Sequence, residues 1–234
     1  MARALDLRHL AGKFLVFDGN EGCGKSTQAR LLRAHLDSLN IPTLAVHDPG
    51  ATRIGEHVRE LLLNPENTDM AMRCEMLLYM ASRAQMMGEK ILPALAAGAC
   101  VICDRFVSST LAYQLGGDGL DFDEIKRVAD VAIKHRWPDL TLIFDLPVQA
   151  SWARVRPKFS LFPDDPTAGL DLDRIEQRSR EYHEQVRQNY LAQAKRDPDR
   201  YRVIDADRPV DEVHAQVLEV VSTLVASPGT SGEG

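Results

Sequence analysis

Short apolar runs alternate with longer amphipathic stretches along this chain. Residues 13–17 (KFLVF) form a run of the kind that makes a strand buried on both faces. Comparable runs recur at 43–46, 100–103, 140–146 and 201–205. Between them, apolar residues three and four apart predict helices, the first opening at Lys25 with Ala29, Leu32 and Leu36 on one face. Further helices are predicted over 54–63, 69–97 and 106–115, from Asp121 to near His135, from Pro147, and over 173–196 and 209–225. Pro93 or Gly98 closes the longest of them, and Asp121 with Glu124 makes a capping-box-like start. Strands alternating with helices predict an α/β domain over residues 1–226, its parallel sheet covered by helices on both faces. The tail 227–234 (SPGTSGEG) is expected to be disordered.

Composition narrows the class. With 234 residues and 44% apolar content the chain can bury one good-sized core. A net charge of −6 argues against a general nucleic-acid binder, which needs a basic surface to displace counterions. No apolar run approaches a membrane span, and the first residues lack the apolar stretch of a secretory signal. The four cysteines are expected to be reduced and the location cytoplasmic. Cys100 and Cys103 lie three apart on a strand, so they face opposite ways and suit packing rather than metal binding. The seven histidines show no ligand spacing, so no zinc is expected. Six of the seven methionines fall within 69–97, which suits core or subunit-interface packing more than an adaptable partner surface.

The chemistry concentrates after the first strand, in Gly19, Asn20, Glu21, Gly22, Cys23, Gly24, Lys25, Ser26 and Thr27. A glycine, four residues and Gly-Lys-Ser between a strand and a helix make a phosphate-binding loop, and the expected fold is a P-loop NTPase three-layer sandwich. Glycines let the backbone turn its N–H groups inward around an anion, and the helix start adds the positive end of its dipole. Lys25 can then reach the β- and γ-phosphates of ATP, while the Ser26 hydroxyl takes a position on Mg²⁺. Asp104, closing the third strand, is the carboxylate expected at the Mg²⁺ shell. Tyr79 and Arg83 share one helix face, offering a stacking ring and a donor; a core aromatic and a surface ion pair are the plain alternatives. The 106–115 helix presents Ser109, Thr110, Tyr113 and Gln114. Arg154, Arg156 and Lys158 precede a loop-like stretch, so 154–172 suits a lid closing over phosphates; a solvated surface loop is the alternative.

The runs FDGNEGCGKSTQARLL, DPGATRIGEHVRELLL, LLYMASRAQ, CDRFVSSTLAYQ and LDRIEQRS resemble, in order and spacing, the bacterial thymidylate kinase family over roughly residues 12–224. The resemblance implies transfer of the ATP γ-phosphoryl group to dTMP, Mg²⁺ as cofactor and a homodimer. It implies Glu21 near the acceptor's 3′-hydroxyl, and Asp48 and Pro49 near the transferring phosphate. Arg59 and Arg105 would grip the acceptor phosphate. Tyr79 would stack on thymine and Arg83 would meet its O4 edge. Ser109, Thr110 and Gln114 would make base-side contacts, and Tyr113 would crowd the sugar 2′ position. Asp48 stands for the family's usual Glu, His47 for a frequent Arg, and Tyr79 for a usual Phe. Gly22 occupies the loop position that is arginine in one branch, so Arg154 and Arg156, with Arg174 third, are the candidate mobile cations. Two other readings compete: a kinase with a different acceptor, and a nucleotide-dependent switch that hydrolyses ATP without an acceptor.

Overall fold

The computed structural model describes residues 5–155, 173–175 and 178–224. Strands β1 (Phe14–Gly19), β2 (Thr43–His47), β3 (Cys100–Asp104), β4 (Leu140–Asp145) and β5 (Tyr201–Asp205) form one parallel sheet in the order β2-β3-β1-β4-β5. Helices α1 (Lys25–Ser38), α2 (Arg53–Leu63), α3 (Met72–Met86), α4 (Leu92–Ala96), α5 (Val107–Tyr113), α6 (Phe122–Ala132), α7 (Val148–Val155), α8 (Arg180–Arg196) and α9 (Val210–Ser222) connect and cover the strands. The chain leaves β1 toward β2 on one side and later crosses to β4 on the other. That reversal opens a crevice at the carboxyl ends of β1 and β3, where open α/β sheets bind ligands.

Alternation along the central strands divides the interior into two layers. Leu15, Phe17, Cys100 and Ile102 face the core closed by α1 and α9. Phe14, Val16, Val101 and Cys103 face the core closed by α3, α5 and α6. The two cysteines therefore point to opposite faces, and both are free thiols. Met76, Met80, Met86 and Met87 are buried in the second core, so most of the methionine cluster packs the interior.

Several boundaries differ from expectation for identifiable reasons. The 69–97 stretch is broken, because α3 passes into a π-turn (Met87–Ile91) before α4 begins. The wide turn ends just before Pro93, whose missing N–H and bulky ring a continuous α-helix would not accommodate. The helix expected from 173 begins at Arg180, where the Ser179 side chain accepts from the Tyr182 amide. Arg174 lies instead in a turn docked on α2, its amide donating to the Leu63 carbonyl at 3.3 Å. All seven residues of α5 are buried, so that helix belongs to the interior of the fold. Arg156, the lid stretch from 156 to 172 and the tail 227–234 lie outside the described residues. Among the described residues no helix is long and apolar enough to cross a membrane.

Candidate active site

The phosphate loop is made by backbone. Gly19, Gly22 and Gly24 have φ of 136°, 68° and 93°. A Cβ on Gly19 would lie 2.5 Å from the Phe144 carbonyl oxygen, so both its conformation and its space require glycine. Lys25 opens α1 with its ammonium folded onto the loop, donating to the carbonyls of Asn20 at 2.8 Å and Gly19 at 3.1 Å. Ser26 Oγ donates to Asp104 Oδ2 at 2.8 Å, which brings together the residues expected at the metal. Cys23 is buried and burial pushes its thiol up, so it acts as a small packing residue and not as an exposed thiolate. Gly22, Gly24, Lys25, Ser26 and Thr27 line an open cleft together with His47, Asp104 and Arg154.

A second, smaller cleft begins where the first ends. Tyr79, Thr110, Tyr113 and Gln114 line it with Pro49 and Ser109. Glu21, Asp48, Arg59 and Arg105 line both clefts, so a charged junction separates the phosphate cleft from the aromatic one.

Arg105 is the most constrained part of that junction. Its φ of 69° is left-handed, a conformation that costs a side-chain-bearing residue about 1–2 kcal/mol. Its amide donates to the Phe17 carbonyl at 2.9 Å, holding this backbone against β1. Nη1 donates to Ser109 Oγ at 3.2 Å, Tyr190 Oη at 3.3 Å and Asp18 Oδ1 at 3.4 Å, and Nη2 pairs with Glu21. The Arg105 guanidinium holds the Glu21 carboxyl down at about 2. Asp18 is wholly buried and accepts from Tyr190 Oη and Ser108 Oγ, each at 2.6 Å, and from Ser109 Oγ at 2.8 Å. A buried carboxylate this well provided with donors fixes its neighbours rather than meeting solvent.

Arg83 is placed deeper than its spacing from Tyr79 suggested. It has no exposure and does not line the cleft wall. Nε donates to Asp48 Oδ2 at 2.5 Å, Nη1 to Thr110 Oγ1 at 2.7 Å and Nη2 to the Phe106 carbonyl at 2.8 Å. Arg83 thus anchors two residues that do reach the cleft. Burial pushes the Asp48 carboxyl up while Arg83 opposes it, and Asp48 Oδ1 is buried with no partner among the described residues.

A family model for thymidylate kinase matches residues 17–217. The chain belongs to the thymidylate kinase family. A thymidylate kinase of Pelotomaculum thermopropionicum is 41% identical over 92% of this chain and 95% of its own length. One from Alcanivorax borkumensis is 38% identical over 94% of this chain and 100% of its own. A crystal structure of the Ehrlichia chaffeensis thymidylate kinase superposes with a TM-score of 0.68 at 28% identity, covering 90% of this chain and 98% of that one. As a thymidylate kinase, the chain is an enzyme of nucleoside monophosphate phosphorylation.

For such a kinase the oxygen pair of Ser26 and Asp104 suits Mg²⁺, a hard cation that takes one or two protein oxygens and fills its shell with phosphate and water. Of the candidate cations, Arg154 lines the phosphate cleft, held by Ala206 O at 3.1 Å and Asp207 Oδ1 at 3.2 Å. That pair is exposed and weak, so Arg154 can leave it at little cost. Arg174 is a correction: it is buried, donates Nε to the Leu62 carbonyl at 3.0 Å and pairs with Glu75, far from a mobile cation's role. Leu63, Ile175 and His183 also line the aromatic cleft, and neither they nor Asp18 and Tyr190 were candidates from sequence. Asp18 alone left a trace, as the one carboxylate in an otherwise apolar strand.

Proposed function

We propose that this member of the family transfers the γ-phosphoryl group of ATP to dTMP, giving dTDP and ADP. The observation that carries the reading is the junction of Glu21, Asp48, Arg59 and Arg105, shared by a phosphate cleft and an aromatic cleft. ATP phosphates would lie in the loop 19–27 against Lys25. The thymine would stack on Tyr79 with Thr110, Ser109 and Gln114 at its edge, and Tyr113 would crowd the sugar. Glu21 would face the 3′-hydroxyl. Arg59, whose Nη1 rests on the Pro49 carbonyl at 3.1 Å, and Arg105 would hold the dTMP phosphate between them. A direct donation from Arg83 to O4 requires the base to enter to the depth of Thr110.

The acceptor oxygen is already anionic, so the site needs no strong general base. Its task is to align two phosphates and to offset charge spreading over the transferred group. Lys25, Arg105 and Arg154, with Arg156 as the alternative, carry the positive charge for this. Ser26 and Asp104 would hold Mg²⁺, which would supply further charge neutralisation at the β- and γ-phosphates. Free thiols at all four cysteines suit a cytoplasmic location. Leu61 and Leu77, each 51% exposed on the neighbouring helices α2 and α3, suit burial in a homodimer.

The test is ADP release with dTMP, dUMP, dGMP, dCMP and thymidine as acceptors. Fastest turnover is expected with dTMP, falling to background when Mg²⁺ is chelated. Faster turnover on another acceptor, or ATP hydrolysis independent of any acceptor, would replace the reading.

A further inference from the structure

Glu75 lies in the first turn of α3 and is completely buried. Three side chains from distant parts of the chain converge on its carboxylate. Gln114 Nε2 donates to Oε1 at 2.7 Å; Arg178 Nη2 donates to Oε2 at 2.7 Å; Arg174 Nη2 pairs with the same Oε2. Two guanidinium donors on one oxygen are the partner set of an ionised carboxylate. Such a group only accepts hydrogen bonds, so only the NH₂ end of the Gln114 amide can face Oε1.

The other end of that amide is then fixed as well. Gln114 Oε1 is buried, has no partner among the described residues, and belongs to a side chain that lines the aromatic cleft. A buried acceptor left without a donor is destabilising, and a ligand that brings an N–H removes the penalty. Thymine and uracil carry a donor at ring position 3, where cytosine carries an acceptor.

We propose that Glu75 is a positioning residue: by holding Gln114 Nε2 it turns Oε1 toward the ligand and makes the cleft select pyrimidines with an N3–H over cytosine. The idea rests on the acceptor reading above and extends it to a residue that touches no substrate. It also gives the cleft and the segment carrying Arg174 and Arg178 one shared anchor. Removing the anchor affects selectivity through Gln114, whereas a purely structural Glu75 would affect only the amount of folded enzyme.

The test compares kcat/KM for dTMP and dCMP in the full-length wild type, Glu75→Gln, Gln114→Ala and the double variant. A glutamine at 75 both donates and accepts, so the Gln114 amide is free to turn over. The dTMP:dCMP ratio is expected to fall about tenfold or more, the loss of one matched buried hydrogen bond. In the Gln114→Ala background the same change at 75 should leave the ratio within about twofold, since coupled residues are not additive. The ratio is taken on one preparation, so an unfolded fraction cancels. Should Glu75→Gln fail to fold, Glu75→Asp draws the carboxylate back from Gln114 while keeping its charge, and a fall in the same direction is expected. An unchanged ratio in the variant at 75, with wild type still preferring dTMP, overturns the role of Glu75 alone. A wild type that does not prefer dTMP overturns the acceptor reading and this proposal with it.

Discussion

The two clefts on either side of Arg105 are built in opposite ways. The phosphate cleft is a backbone device, in which three left-handed glycines and a helix start make the anion site from nine consecutive residues. The aromatic cleft is a side-chain device, assembled from α2, α3, α5 and the turn around Ile175 and held by the buried carboxylates of Asp18, Asp48 and Glu75. Its shape depends on hydrogen bonds between distant residues, such as Tyr190 to Asp18 and Arg178 to Glu75. A backbone site tolerates loss of a single side chain without losing its form, but each lost cation removes transition-state charge. A side-chain site loses form first and chemistry second.

That contrast sets the expected effects. The largest belongs to Arg154→Ala, with kcat lowered about 10³-fold, as for an arginine that meets transition-state charge, and KM for dTMP within a few-fold of wild type. Steady-state kinetics decides it, and turnover close to wild type would pass the role to Arg156. Next is Lys25→Met, expected to lower kcat about 10²- to 10³-fold with thermal stability nearly unchanged, because its hydrogen bonds go only to atoms of the loop itself, the Gly19 and Asn20 carbonyls and Cys23 Sγ. A large drop in Tm would show the lysine to be structural and blur the distinction between the clefts.

On the aromatic side, Tyr190→Phe removes the hydroxyl that binds Asp18 at 2.6 Å without creating a cavity. Unfolding in denaturant is expected to show a loss of about 1.5–3 kcal/mol, the range for a hydrogen bond to a charged group, with KM for dTMP rising as Arg105 loosens. Loss of kcat with no change in stability would contradict the side-chain account. The smallest effect concerns Glu21, which is 47% exposed and therefore screened. Its carboxyl sits at about 2 instead of the ordinary 4.5, a depressed value, so its contribution is present above 4.5 and fades as pH falls from there toward 2. The Tm difference between wild type and Glu21→Gln should narrow over that window, and a gap that widens on acidification would reverse the sign.

The same contrast explains what was legible in the amino-acid order. The loop 19–27, the five strands and the ends marked by Asp104 and Asp121 are local signals, and each lies where its pattern placed it. Arg83 shares a face with Tyr79 as its spacing requires, but spacing does not say which end of a face is deepest, and Arg83 is the buried one. Arg174 looked like one more cation beside a loop; its burial follows from Glu75, a partner far away in the chain. The burial of α5 over its whole length follows from contacts with α8 and the sheet, partners that its own seven residues do not announce. Asp18, Glu75 and Tyr190 gave little warning because their meaning lies in pairings that no periodicity encodes.

A crystal structure with dTMP and ADP bound together tests the central claim most directly. The account predicts the thymine on Tyr79 with its edge at Thr110 and Gln114, the dTMP phosphate between Arg59 and Arg105, and the ADP β-phosphate in the loop around Lys25. A pyrimidine outside that cleft, or an acceptor phosphate touching neither arginine, would contradict it.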